Sequence, residues 1–341
     1  IDRVDLEYLR FLIKKKDVLF IFCKSGFIYP VKREMVNGIL QLLSDKWFIG
    51  NKFLNLERAK LLLKLYVLRL SFFCRTLLNF SPNHYAHNIK IRNLPEKVIY
   101  INTSHINLEY LNYFKNFFNE NFYSVTLLHD ILPISRRNLL HNKNTKIDQI
   151  RIQYAIQYSD LLYTTSDYNV AEINSISENK INVSKIKLGV NYFDKHEIEE
   201  LTSDRHNFSS NYYIMVGTLE LRKNHIFALK LWKKVIQNHE SPPLLYIIGR
   251  KGNGYKLFKK EYDSLNKKEK KYIKLIHNCC DFELLSYYRN AKALIHVSKA
   301  EGWGMTISEA LTQRIPVLCN SICPFNEQAI GFLTHPSDTS T

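Results

Sequence analysis

Two doubly wound α/β domains are the fold this sequence predicts, on three observations. The chain has 341 residues, beyond the usual size of one domain, so two domains of roughly 150 to 200 residues are expected. Hydrophobic residues make up 45% and aromatic residues 13%, enough for a substantial core and incompatible with global disorder. Short apolar or β-branched runs recur with helical patterns between them. Continuous apolar strands alternating with helices imply parallel sheets covered on both faces.

The expected strands form two series. The first runs through residues 18–22, 98–102, 124–128, 160–165 and 185–190, and the second through 212–217, 244–249, 272–277, 293–298 and 316–319. Between them lies the polar stretch "NYFDKHEIEELTSDRHNFSSN". This organisation predicts an N-terminal Rossmann-like domain over 1–190, a linker over 191–211 and a C-terminal Rossmann-like domain over 212–341. Ligands of doubly wound folds sit beyond the carboxyl ends of the strands, so a cleft between the domains is the expected site.

Charge and cysteine usage narrow the class. The 48 Lys and Arg against 32 Asp and Glu give a net charge of +16, which suits anionic partners such as nucleotides, acidic lipid surfaces or nucleic acid. Because the basic residues are spread along the chain, they do not choose among these. The 6 cysteines form no Cys-x-x-Cys unit; reduced thiols in a cytosolic setting are the simplest reading, and a metal site is not expected. No run of 18 uncharged apolar residues argues for a transmembrane helix. The stretch "AKLLLKLYVLRLSFFCRTLLNF" (59–80) has two open readings, a basic amphipathic helix on an acidic membrane or a helix packed on the first sheet with snorkelling basic side chains. Ile1-Asp2-Arg3-Val4 already reads as a helix start, so the chain is expected to begin inside a domain.

The chemistry concentrates in two places. In "EGWGMTISEA", Glu301 and Glu309 stand eight positions apart between a strand and a helix. Gly302 and Gly304 permit close approach of a ligand, and the helix start after them presents unpaired N–H groups to an anion. Two carboxylates in an anion site make sense for a nucleotide sugar, whose hydroxyls at each end of the diphosphate suit carboxylate acceptors. The second place, "VGTLELRKNH", leaves a strand through Gly217 and Thr218 and places Arg222 and Lys223 at that strand's carboxyl end. A departing diphosphate needs such positive charge; a solvated basic turn is the other reading of these residues taken alone.

Residues 212–338 resemble the nucleotide-binding domain of the family 4 (group 1) retaining glycosyltransferases, which have the GT-B fold. The matching segments occur in family order: "VGTLELRKNH", "LLYIIGR", "DFELLSYYRNAKALIHVS", "EGWGMTISEAL" and "IPVLCNSICPFNEQAIG". The first half is similar more loosely, at "IDRVDLEYLRFL", "YINTSH" and "TLLHDILPI". The resemblance implies two Rossmann-like domains facing a cleft, and metal-independent transfer of a sugar with retention at the anomeric carbon, without a cofactor. It further implies a donor site of Gly217, Thr218, Gly302, Trp303, Gly304, Met305, Thr306 and Glu309. In it, Arg222 and Lys223 neutralise the diphosphate, Glu301 meets the sugar and Glu309 holds the ribose. His129 orients sugar or acceptor, with Asp130 and His105 on the acceptor side.

"HDILP" and "RKN" resemble members that transfer mannose or related hexoses in surface polysaccharide synthesis. This implies a GDP- or UDP-sugar, a saccharide or lipid-linked acceptor, and a cytoplasmic protein with peripheral contact to an acidic membrane. Against the family pattern, the chain starts after the usual first strand and glycine-rich loop and ends before the usual returning helices. Two other classes compete, a basic nucleic-acid-binding protein and a catalytically silent scaffold. The first is disfavoured because no charged arm or binding module is visible, the second because the paired acids and the cation pair are intact.

Overall fold

A computed structural model describes residues 3–15, 20–24, 27–31, 33–38, 40, 98–118, 122–140, 145–190, 211–322, 324–328 and 334–335. The expected linker at 191–211, apart from Asn211, and the basic stretch at 59–80 lie outside these residues. The described residues fall into two compact units. One comprises Ile1–Leu128, Ile150–Tyr163 and Asn179–Val183; the other comprises His129–Gln149, Thr164–Glu178 and Ser184–Thr341.

The chain opens with helix α1 (Arg3–Leu12) and strands β1 (Phe20–Lys24) and β2 (Phe27–Val31). β1 and β2 pair antiparallel, Phe20 opposite Val31. The apolar run expected at 18–22 is therefore not a strand of a parallel sheet. A parallel neighbour needs a crossover of about a dozen residues, and β2 follows too soon for anything but a hairpin.

A four-stranded sheet follows in the order β3-β4-β5-β6, from β3 (Val98–Asn102), β4 (Phe122–Leu128), β5 (Leu161–Thr164) and β6 (Val183–Lys185). Between these strands in the chain come α2 (Leu111–Phe118), the short α3 (Leu132–Ser135), α4 (Thr145–Tyr158) and α5 (Asp167–Ser177). β3 and β4 run parallel, Val98 opposite Phe122. The strand expected at 185–190 falls earlier, because the Ile186 N–H bonds to Thr164, the last residue of β5, and the ladder has no partner beyond it. Asp160 ties the start of β5 to β4, accepting from the Ser124 N–H and hydroxyl at 2.8 Å each and from Lys115 at 2.7 Å. α5 begins at Ser166, whose hydroxyl accepts from the Asn169 N–H, and such caps contribute about 1 kcal/mol.

The second sheet has six strands in the order β12-β11-β10-β7-β8-β9. They are β7 (Tyr212–Val216), β8 (Leu244–Ile248), β9 (Ile273–Ile276), β10 (Leu294–His296), β11 (Val317–Asn320) and β12 (Thr334–His335). Every pairing is parallel. Between the strands run α6 (His225–Asn238), α7 (Tyr255–Asp263), α8 (Lys267–Tyr272), α9 (Asp281–Asn290), α10 (Met305–Thr312) and α11 (Phe325–Gln328).

The period-two alternation of strands distributes the apolar side chains. Tyr212, Ile214 and Val216 of β7 pack on one face with Ile307, Ala310, Val317 and Phe325. Met215 packs on the other with Ala228, Trp232, Leu245 and Phe258. Both faces are covered, which is why the strand sequences are apolar runs rather than alternating ones. The strand order reverses at β7: the chain goes to β8 on one side and returns to β10 on the other. The β7–β10 boundary is therefore the topological switch point, where open parallel sheets bind ligands.

Candidate functional site

The two motifs singled out in the sequence leave the two strands that flank the switch point. After β7 the chain turns through Gly217, φ 149°, and a 3₁₀ turn over Leu221–Lys223 before Asn224 starts α6. After β10 it passes Ser298 and Glu301 to Gly304, φ 92°, which begins α10. Glycine is required at Gly304, since that left-handed conformation strains a residue carrying a Cβ. No side chain caps α10; the Ile307 N–H bonds to the Gly304 carbonyl, and the amides before it belong to the donor end of the helix.

The loops are knit together by a buried charge cluster. Glu301 is 6% exposed. One of its oxygens lies 2.5 Å from an Arg222 terminal nitrogen, and the other lies 2.5 Å from Lys223 Nζ and accepts from the Ser298 hydroxyl at 2.8 Å. Arg222 also meets Glu220 at 2.8 Å through Nε, and its carbonyl accepts from the Lys299 N–H at 2.7 Å.

Burial alone would raise the Glu301 carboxyl; the adjacent Lys223 and Arg222 outweigh it and hold the group well below the usual carboxylate range. Burial likewise pushes the Arg222 guanidinium down, but Glu301, Glu220 and Asp130 raise it more. Glu301 and Arg222 are therefore both charged near neutrality. Glu301 thus stands between the cations with both oxygens engaged.

The remaining expected residues are placed as follows. Gly302 follows Glu301 and is pressed against the His129–Asp130 turn: a Cβ added there would stand 2.3 Å from the His129 carbonyl oxygen and 2.6 Å from Asp130 Cβ. Two buried side chains outside the expected set, Thr165 and Asn169, bind both turns. The Thr165 hydroxyl is 2.9 Å from the His129 carbonyl and 3.2 Å from that of Gly302, and the Asn169 amide is 3.4 and 3.2 Å from the same two. Asp130 accepts from the Leu132 N–H at 3.0 Å.

Trp303 donates its indole N–H to Ser308 at 3.0 Å. Thr306 contacts the buried His296, and Met305 is the first residue of α10. Glu309 accepts from the Tyr288 hydroxyl at 2.9 Å. Thr218 is half-buried on the loop that follows Gly217. The structure therefore brings together His129, Asp130, Arg222, Lys223, Glu301 and Gly302. His105 lies on the loop after β3, in the other unit.

Gly302→Ala is expected to be severe, because its Cβ meets backbone that Thr165 and Asn169 hold fast. Overpacking of this kind costs about 1–3 kcal/mol, and the displaced turns carry His129 and Glu301. Chemical denaturation checks the stability loss; an alanine variant as stable as the parent contradicts the close packing.

His225, the first residue of α6, is 3% exposed and sits edge-on to Phe258. Neither ring nitrogen reaches a hydrogen-bond partner, although the backbone of Gly217 and Glu220 lies near. Burial pushes the imidazole down to about 4, and Lys223 acts in the same direction. An unfolded histidine titrates near 6.5, so between about pH 6.5 and pH 4 the unfolded chain binds the extra proton and stability falls as pH falls. This contribution approaches about 3 kcal/mol at the acid end. Unfolding free energies measured from about pH 7 to about pH 4.5 are expected to fall less steeply in His225→Leu. Equal slopes would contradict the buried neutral state.

Among the described residues no group of three His, Cys, Asp or Glu side chains could hold a metal ion, and no helix is long and apolar enough to cross a membrane.

Residues 198–335 match the family described as glycosyl transferases group 1. Over 120 residues the chain is 33% identical to the serotype-specific mannosyltransferase WbdA of Escherichia coli, an alignment covering 34% of this chain and 14% of that protein. The matched part thus spans about one seventh of that relative's length.

Among solved structures, the UDP-forming α,α-trehalose-phosphate synthase of Burkholderia xenovorans is similar over 94% of this chain and 78% of its own, with TM-score 0.57 and 12% identity. The sucrose-phosphate synthase of Thermosynechococcus elongatus is similar over 68% of this chain and 58% of its own, with TM-score 0.53 and 16% identity. Anabaena Alr3699/HepE, solved with UDP and glucose, is similar over 70% and 64%, with TM-score 0.52 and 18% identity. At such identities the likeness shows the fold alone, and the GT-B fold class expected from the sequence stands.

Proposed function

We propose that this protein is a retaining glycosyltransferase that moves a mannose-like hexose from a nucleotide-diphosphate sugar to a saccharide or lipid-linked saccharide acceptor. The observation that carries the reading is the meeting of Arg222 and Lys223 with Glu301 at the switch point, immediately before the uncapped start of α10. The group 1 match over 198–335 supports the donor chemistry. The partial similarity to the mannosyltransferase WbdA supports the choice of sugar.

In this reading the leaving diphosphate lies between the cation pair and the first amides of α10. Negative charge builds on the diphosphate as the glycosidic bond stretches, and donors already oriented toward it stabilise that charge without reorganisation. Lys223 and Arg222 are oriented in advance by Glu301, which holds them by charge while itself shielded from water. Glu309, steadied by Tyr288, accepts from the ribose hydroxyls. His129 orients the sugar or acceptor, its turn held against Gly302 by Thr165 and Asn169. Retention follows a front-face course in which the departing phosphate oxygen takes the acceptor proton, so no protein nucleophile is assigned. Charge neutralisation by side chains and helix start takes the place of a metal.

A thermal-shift panel of GDP-, UDP- and ADP-sugars tests the reading. A ligand that binds only the folded state at a hundred times its dissociation constant adds about 2.7 kcal/mol, a clear rise in Tm. If no nucleotide sugar raises the Tm, the donor site is not where it is placed here.

A further inference from the structure

His296 is absent from the set of residues expected from the sequence. It is the last residue of β10, pairs with Cys319 of β11, and is 2% exposed. Its ring stands edge-on to Phe325 with centroids 4.8 Å apart, so it has little freedom to turn. Nδ1 is 3.0 Å from the Thr306 hydroxyl, and Nε2 is 3.4 Å from the Ser298 hydroxyl and 3.6 Å from a Glu301 oxygen.

Burial pushes this imidazole down, and the Lys223 and Arg222 charges act the same way against Glu301. A neutral ring has one donor and one acceptor, and its partners assign them. The Ser298 hydroxyl donates to Glu301, which leaves its oxygen to accept from the Nε2–H. Nδ1 then accepts from Thr306. The result is a directed chain in which Thr306 donates to His296, His296 to Ser298, and Ser298 to Glu301. One end is in the first turn of α10; the other is the carboxylate that holds both cations.

We infer that His296 is a positioning residue that, through this chain, keeps the Arg222–Lys223 pair in register with the start of α10. The inference rests on the donor-site reading above. A buried histidine with a merely structural role would contribute to stability without affecting how tightly a diphosphate is held.

The test is calorimetric titration of the full chain with GDP and UDP, beside chemical unfolding, for the parent, His296→Leu, Thr306→Val and the double variant. Thr306→Val keeps the backbone amide and removes only the hydroxyl. Each single variant is expected to weaken binding of the preferred nucleotide about tenfold, the effect of leaving a buried polar partner unpaired. The double variant is expected to be no weaker than His296→Leu, because members of one network are not additive. Parent-like affinity in both single variants, even with lowered stability, overturns the inference, and so do losses that simply add. If His296→Leu does not fold, Thr306→Val and Ser298→Ala cut the same chain on either side of the ring, and parent-like affinity in both has the same force. A parent chain that binds neither nucleotide overturns the donor-site reading itself, and this inference with it.

Discussion

Glu301→Ala is expected both to destabilise the protein by about 3–5 kcal/mol and to lower transfer more than a hundredfold. The first effect comes from burial. Arg222 and Lys223 have side chains only 19% and 12% exposed, and removing the carboxylate between them leaves two desolvated cations at close quarters, a change of that size when a buried pair is broken. The second comes from lost orientation of the groups that meet the diphosphate, where one such electrostatic contribution commonly changes the rate by about 10²–10³.

Acid should reproduce part of the stability loss in the parent. A carboxyl held below its unfolded value stabilises fully above about pH 4.3, and that contribution is lost as pH falls through the lower folded value. Urea unfolding measures the stability change, and donor turnover measures the other. A Glu301→Ala chain as stable as the parent would show that the cluster is not closed around this carboxylate.

Lys223→Ala separates the two effects. Here Glu301 keeps Arg222 and Ser298, so the chain is expected to fold with a smaller stability loss. Transfer should still fall about a hundredfold or more, since one cation is gone from the site where negative charge develops. The lysine stem also packs over Gly217, with Cε 3.5 Å from the position a Cβ would take there. Substitution by alanine therefore opens space beside the loop as well. Steady-state kinetics beside a denaturation curve decide it: parent turnover in a folded Lys223→Ala chain removes this residue from the reaction. Glu301→Ala costs more stability than Lys223→Ala because Glu301 is the shared counter-charge of a buried cluster.

Several elements were legible in the sequence. The strand expected at 98–102 has the bounds of β3, because its apolar run begins and ends sharply. The expected β7 and β8 runs extend one residue beyond the strands, into Gly217 and Gly249. There the chain leaves the strands: a Cβ at Gly249 would stand 1.8 Å from the Gly217 carbonyl oxygen, and that contact between distant residues has no local signature. The 18–22 run misled for a similar reason, since its apolar composition says strand and says nothing of the partner that makes it a hairpin.

The candidate site divides the same way. Arg222, Lys223, Glu301 and Glu309 were legible because they stand with glycines where a strand gives way to a helix, a local pattern of charge and backbone freedom. His296, Ser298, Thr165, Asn169 and Tyr288 were not, because a buried histidine or threonine in an apolar run reads as core. Thr165 meets Gly302 across 137 positions, beyond any pattern that periodicity or spacing can reveal.

By itself, then, the sequence determined the alternation of strands and helices and the types of chemical group at their junctions, since hydrophobic period and glycine placement act within a few residues. The tertiary structure alone decided that Glu301 faces the cations rather than solvent, and that a histidine chain ties it to the start of α10. Burial and charge compensation depend on which distant strands become neighbours, and strand order is a property of the folded sheet.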